Sequence, residues 1–289
     1  MTAVASTSDP RRKSPVLTAV MAVYLLYTLV PLVWLLISAT KTQQALLTTS
    51  GLSFGGPFAL VDNVVQTFTH DGGIFLRWLG NTLLYVVVGA GGATALATAA
   101  GYGLAKYPFR GRNAVFAVLL GAIAIPGTAL AVPTFLLFSN LGLTNTPWAV
   151  IIPSLVSPFG LYLIWTYTAE AVPDELLEAA RIDGAGELRI FLTVTLRVLL
   201  PGVVTVALFT VVSTWNNYFL PLIMLSEPGW YPLTVGLNQW SAQATGVGAQ
   251  PIYHLVITGS VITIVPLVAA FLLLQRFWQS GLTAGSVKR

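Results

Sequence analysis

Apolar residues in this chain come in blocks too long for an ordinary soluble helix or strand. Six stretches hold the roughly 20 apolar residues that a helix needs to cross a hydrocarbon core: Val16–Ser38, Leu79–Leu104, Ala114–Phe138, Trp148–Tyr167, Val198–Leu220 and Tyr253–Phe277. The pattern predicts an all-α integral membrane protein with six transmembrane helices. Polar residues gather between the blocks, in an expected loop near Thr42–Phe75, a short turn near Gly142–Pro147 and a loop near Ser226–Gln250. They gather most sharply in Glu170–Arg189, which carries eight charged residues. At a bilayer centre each charge costs about 2.5–3.5 kcal/mol, so this island would cost on the order of 20 kcal/mol there. It therefore sits in water.

Lysine and arginine decide which water. Arg11, Arg12 and Lys13 precede the first block, and Lys106, Arg110 and Arg112 lie between the second and third. Arg181, Arg189 and Arg197 lie between the fourth and fifth, and Arg276, Lys288 and Arg289 follow the sixth; only Lys41 and Arg77 fall on the other side. Both termini and the island are thus expected in the cytoplasm. The apolar run after Pro15 is longer than a signal-peptide core and has no small-residue cleavage site, so it reads as a retained span. The expected organisation is an N-terminal tail at residues 1–15, a six-helix membrane domain at 16–278 with its cytoplasmic loop at 170–197, and a C-terminal tail at 279–289.

Composition narrows the chemistry. Of 289 residues 55% are hydrophobic and 8% charged, against about 25% charged in a soluble domain. With no cysteine there is no disulfide, thiolate metal site or thiol nucleophile, and two histidines, His70 and His254, are too few for a histidine metal centre. The net charge of +4 comes mostly from cations flanking apolar blocks and is no nucleic-acid signal. Gly51-Leu52-Ser53-Phe54-Gly55 spells a nucleophile elbow but lacks the strand and helix that context requires. There is no G-x-x-x-x-G-K loop and no H-E-x-x-H. No carboxylate lies inside a block, which disfavours a proton-coupled carrier. No internal repeat is found, so one copy has no pseudo-symmetric second half with which to enclose a path, which points toward a partner subunit.

Several patterns bear on packing and transport. Gly89, Ala93, Ala97 and Gly101 form one small-residue stripe that lets another helix approach closely, more readily within this chain than across subunits. Pro126, Pro133, Pro153, Pro158, Pro221 and Pro266 interrupt the blocks and can kink them. Asn81 and the Trp215-Asn216-Asn217-Tyr218 string place amides and aromatic rings where a polar ring-shaped solute could pass. Asn81, Trp215, Asn216 and Tyr218 are the candidate pathway residues, with an aromatic interfacial belt the alternative for the rings. In the island, Pro173 suits a helix start and Gly184 a helix stop. Asp174, Glu178 and Arg181 share one face and Leu176, Ala179 and Ala180 the other, so the helix can meet another protein or pack on its own bundle. A second short helix from about Glu187 should lead into the fifth block.

Glu178-Ala179-Ala180 followed by Asp183-Gly184-Ala185 resembles the EAA loop of binding-protein-dependent ABC importer permeases. The string Pro173–Ala185 is similar to the carbohydrate-uptake branch, and Gly281–Lys288 is similar to the C-terminus of its maltose-type second permease subunit. Trp215-Asn216 and Asn81-Thr82-Leu83 also sit where that family has similar residues. One departure stands out. The family loop usually continues to a Leu-Pro pair, whereas here Leu196 is followed by Arg197 and the proline comes at Pro201.

The resemblance implies a permease subunit of an ATP-driven sugar importer, multi-pass in a bacterial inner membrane and paired with a second permease subunit. An ATPase dimer would bind the ATP and Mg, this chain holding no cofactor, and an extracytoplasmic sugar-binding protein would meet the Ser226–Gln250 segment. Glu178, Ala179, Ala180, Asp183 and Gly184 would form the ATPase-coupling helix. An oligosaccharide or disaccharide is the expected cargo. The competing expectation is a self-sufficient secondary carrier or channel for a small polar solute.

Overall fold

The structure is a computed structural model that describes residues 14–284, with side chains described through Gln275. The basic clusters Arg11-Arg12-Lys13, Arg276 and Lys288-Arg289 lie outside the described side chains, as does the Gly281–Lys288 string. The described residues are helical, with no strand among them. Five helices are long and apolar enough to cross a membrane, and a sixth span results if one bent pair is counted as one.

Helix α1 (Pro15–Ala39) starts at Ser14, whose side chain caps the Leu17 amide, and buries only its last residues, Ile37, Ser38 and Ala39. Thr42–Phe75, expected to be a loop, instead folds into α2 (Gln43–Thr48) and α3 (Leu60–Thr69). Its polar side chains are spent on structure: buried Asn63 donates to the carbonyls of Ala39 and Lys41. His254 meets Gln43 and Gln66. Asp71, Gly72 and Gly73 then adopt positive φ, which ends that helical direction. From there α4 (Ile74–Leu84), a π turn at Tyr85–Ala90 and α5 (Gly91–Lys106) run on as the second span. It begins five residues before the expected Leu79, because Phe75 and Trp78 are buried and extend the helix outward.

The third block, expected as one span over Ala114–Phe138, is broken. Helix α6 (Arg112–Ala124) meets the Gly127–Leu130 turn and α7 (Ala131–Asn140) at 99°. The reason is local: Ile125 precedes Pro126 and is extended, as pre-proline residues prefer. The fourth block is likewise divided into α8 (Trp148–Ser154) and α9 (Pro158–Ala171), with Ser157 capping the second. Helix α10 (Asp174–Ile182) and the short α11 (Glu187–Arg189) form the island, and a π turn leads from α11 into α12 (Leu196–Trp215). Pro201 lies within α12, so the missing Leu-Pro pair leaves the start of this span helical. The fifth block ends at Trp215, short of the expected Leu220, and resumes as α13 (Phe219–Met224).

Ser226–Gln250, expected as an open loop, contains a turn at Pro228–Trp230 and α14 (Leu233–Thr245). Leu233, Val235, Gly236 and Trp240 of α14 are buried. The last span is α15 (Tyr253–Ala284). Two clusters hold the ends of the bundle. Tyr102, Ile164, Leu177, Ile190 and Leu199 pack at the island end, and Phe75, Trp78, Trp215, Leu233 and Trp240 at the opposite end. Between them, the stripe Gly89, Ala93, Ala97 and Gly101 is buried inside this chain. A Cβ on Gly101 would come within 2.8 Å of the Ile164 side chain, so α5 and α9 pack at nearly backbone distance.

Candidate functional site

The island's geometry follows from its sequence. Pro173 takes the cap position and α10 begins at Asp174, with Asp174 and Glu175 in the first turn and Arg181 in the last, matching the helix dipole. The helix stops in a Schellman turn. Gly184, at φ +77°, donates its amide to the Arg181 carbonyl, and Ala185 donates to Ala180. The bundle-facing side, which spacing left open, is set by Leu177: 2% exposed, it plugs α10 into the bundle beside Tyr102 and Ile190. Leu176 and Ala179 face water because α10 lies along the bundle end with the 177 side inward. Glu178, Ala179, Asp183 and Gly184 are exposed and Ala180 is half-buried. Beside them Ile182 is 86% exposed and Leu188 70%, two large apolar side chains standing free of the bundle. Sequence reasoning missed both, although each sits among charges where an apolar residue has no packing role of its own.

Polar ties fix the island to the end of α5. Lys106 Nζ donates to the Val172 carbonyl and to Asp174 Oδ1, the latter at 2.7 Å. The Lys106 ammonium holds the Asp174 carboxyl below its usual range. Tyr107 Oη donates to Glu187, which also accepts from Arg181 Nε at 2.7 Å and Nη2 at 3.3 Å. Glu187 in turn raises the Arg181 guanidinium further above its ordinary value.

The four candidate pathway residues are not brought into one wall. Asn81 is buried, and its Nδ2 donates to the carbonyls of Gly229 at 2.8 Å and Tyr231 at 3.0 Å. Trp215 is buried with Phe75, Trp78 and Trp240. Asn216 is exposed and its Nδ2 turns back to the Val212 carbonyl at 2.9 Å, while Tyr218 Oη donates to Asn238 Oδ1 at 3.0 Å.

A different set surrounds open space. The backbone leaves the helix at residues 125–126, 155–157 and 216–218. One residue from each break, Ile125, Val156 and Asn217, bounds a single cleft of about 570 Å³. A second cleft of about 350 Å³ shares Val156, Ser213 and Asn217 with it and adds Ser154, Ser157 and Thr214. No charged side chain is among the described residues lining either. Non-helical backbone at membrane depth is tolerated only where it is buried in protein or lines a cavity, and these breaks converge on one. Asn217 was passed over for Asn216 because α12 ends at Trp215, beyond which helical periodicity no longer says where a side chain points.

These elements define a multi-pass helical membrane protein with a charged helix held outside its bundle. Residues 93–282 match the family described as binding-protein-dependent transport system inner membrane component, and the chain belongs to that family. It is 32% identical to the arabinooligosaccharides transport system permease protein AraQ of Halalkalibacterium halodurans, over 96% of this chain and 99% of that protein. It is 28% identical to the lactose transport system permease protein LacG of Rhizobium radiobacter, over 96% and 98%. Its fold is similar to a chain of a bacterial ABC transporter involved in the import of the acidic polysaccharide alginate. The TM-score there is 0.79 at 21% identity, covering 91% of this chain and 95% of that one. The protein is thus an inner-membrane ABC permease subunit and not itself an enzyme. Such importers comprise a partner permease, an ATPase and a substrate-binding protein.

Proposed function

We propose that this chain is the permease subunit of an ATP-driven importer for an uncharged oligosaccharide or disaccharide. It pairs with a second permease subunit, contributes half of the translocation pathway, and engages a cytoplasmic ATPase dimer through α10. Glu178, Ala179, Ala180, Asp183 and Gly184 form the contact, with Ile182 as an apolar anchor. ATP and Mg are held by the ATPase. In this reading both termini and the island are cytoplasmic, and the Ser226–Gln250 segment meets the sugar-binding protein outside. The names of AraQ and LacG, both for transport of neutral sugars, support the cargo class.

The observation that carries the reading is the state of α10. A helix plugged into the core by Leu177 and closed by its own Schellman turn presents Glu178, Ala179 and Ile182 to water, without a partner among the described residues. Such a helix moves with the bundle and transmits motion only if something outside grips it. Pathway lining is assigned to the clefts at the three helix breaks, where Ser213, Thr214 and Asn217 offer polar groups; Asn81, Trp215, Asn216 and Tyr218 line neither cleft. The clefts set a few hydroxyls and the Asn217 amide among apolar side chains, which suits the mixed faces of a sugar ring and gives a phosphorylated sugar no counter-charge.

Glu178→Lys tests the docking assignment. It reverses an exposed charge and leaves Leu177 in place. Recovery of the ATPase with the tagged chain and sugar uptake should both fall at least tenfold, the scale of an interface charge reversal that costs more than about 1.4 kcal/mol. Wild-type recovery together with wild-type uptake would remove Glu178 from the contact.

A further inference from the structure

The helix that spans Ile74–Lys106 is bonded at both of its ends to segments far from it in sequence. At one end it holds the Pro228–Tyr231 turn. Trp78 Nε1 donates to the Pro228 carbonyl at 2.9 Å, Arg77 Nε and Asn81 Nδ2 to Gly229 at 3.2 and 2.8 Å, Tyr85 Oη to Trp230 at 2.7 Å, and Asn81 Nδ2 again to Tyr231 at 3.0 Å. Four consecutive carbonyls are therefore all gripped by one helix, whose residues 77, 81 and 85 form a single i, i+4, i+8 stripe. The Arg77 guanidinium also lies 5.4 Å from the Trp230 ring centre.

At the other end, residues 106 and 107 tie down both ends of α10. Lys106 holds Asp174, the first residue of that helix, and Tyr107 holds Glu187, which holds Arg181 in its last turn. Between the two ends α4, the π turn at Tyr85–Ala90 and α5 run on continuously as one tightly packed helix. Gly89 and Gly101 bring it so close to its neighbours that a Cβ would meet Ser154 and Ile164 at 2.9 and 2.8 Å. Thr94 and Thr210 share a hydrogen bond of 2.9 Å across to α12. At 1.5 Å per residue the rod is about 50 Å long, more than the roughly 30 Å hydrocarbon core.

We propose that the α4–α5 helix is a strut that couples the Pro228–Tyr231 turn to α10, with Asn81 and Tyr107 as the positioning residues at its two ends. The inference rests on the reading above, that α10 meets the ATPase and the turn faces the binding protein. It adds a route between them: a rigid element whose position both sites bias. Each acts through the segment it holds, Asn81 through Gly229 and Tyr231 and Tyr107 through Glu187.

The test uses the complex purified from its native membrane with the tagged chain, and reads amide hydrogen exchange with and without MgATP and vanadate. In the wild type, trapped nucleotide should change exchange both in α10 and in residues 226–233. Lys106→Met combined with Tyr107→Phe removes both side-chain ties to α10 and keeps the Tyr107 ring on Tyr102. In that variant the α10 response should persist, while the response at 226–233 should shrink by roughly tenfold or more, the scale of even one hydrogen bond to a charged group. An unchanged response at 226–233 would overturn the strut while leaving the docking reading intact. Absence of an ATPase in the wild-type preparation, or no response in α10, would overturn both. Uptake gives a second readout. Because Asn81→Leu and the combined Lys106→Met, Tyr107→Phe variant break one strut, the variant carrying all of these changes should transport as poorly as the worse of the two. A loss equal to the product of the two separate losses would mean independent sites and sink the proposal.

Discussion

The island around α10 and the segment around α14 are both polar interruptions between spans, and they behave in opposite ways. In the island the charges stay in water and one leucine reaches into the bundle. In the segment at the other end, Glu227 is the only charge, and α14 buries Leu233, Val235 and Trp240 against α4 and α15. Charge density reports where water must be. Among uncharged polar residues, glycine and tryptophan, burial is decided by tertiary partners that the local pattern does not name. One region is therefore a surface offered outward, and the other is part of the core.

Substitutions on the two helices sharpen the contrast. Leu177→Ala should have the largest effect, because it empties the plug that seats α10 and costs about 2–5 kcal/mol. Thermal unfolding in detergent should begin earlier, and ATPase recovery should fall with it. Gly236→Ala comes next. The added Cβ would lie 2.2 Å from the Trp78 ring, and overpacking of this kind costs about 1–3 kcal/mol. If α14 were a free loop the same change would be silent, so a wild-type melting curve would contradict its place in the core.

A smaller effect is expected in the clefts. Asn217→Leu should lower uptake while the complex still assembles, and by more than Asn216→Leu, since Asn217 bounds both clefts and Asn216 is bonded back to its own helix. A larger loss in Asn216→Leu than in Asn217→Leu would return the pathway to Asn216. The smallest effect concerns pH. Lys106 depresses the Asp174 carboxyl below its ordinary value of 3.8. The unfolded chain therefore binds this proton more readily than the folded one, and the stability contributed by the pair is fully present above about pH 4 and lost only as pH falls through the depressed value. The melting temperature of Asp174→Asn relative to wild type should be flat from about pH 5 to 8 and converge with wild type in stronger acid.

Much of the membrane architecture was legible because apolar length is a one-dimensional signal. Spans one, two and six emerged with small shifts at their ends, and the Glu178-Ala179-Ala180 to Gly184 helix appeared where Pro173 and Gly184 bracket it. The breaks were harder. Pro126 was visible as a possible kink, but whether a proline bends a helix by 20° or by 99° depends on what fills the space it opens. Which side of α10 meets the bundle was left open for a related reason. Spacing groups Leu176 with Ala179 and Ala180, yet only the packing of Tyr102 and Ile190 selects Leu177 as the buried side. Asn81 looked like a pathway amide because amides in membranes seek polar partners. Its partners proved to be two backbone carbonyls some 150 residues away in the chain, a contact that no local pattern announces.

The central claim is that α10 exists to be gripped by an ATPase, and affinity purification of the tagged chain from its native membrane in gentle detergent tests it most directly. The account predicts recovery of a nucleotide-binding ATPase together with a second multi-span permease. Recovery of the chain alone, joined with solute movement in liposomes that needs neither ATP nor a partner, would contradict it and leave α10 an ordinary solvated helix.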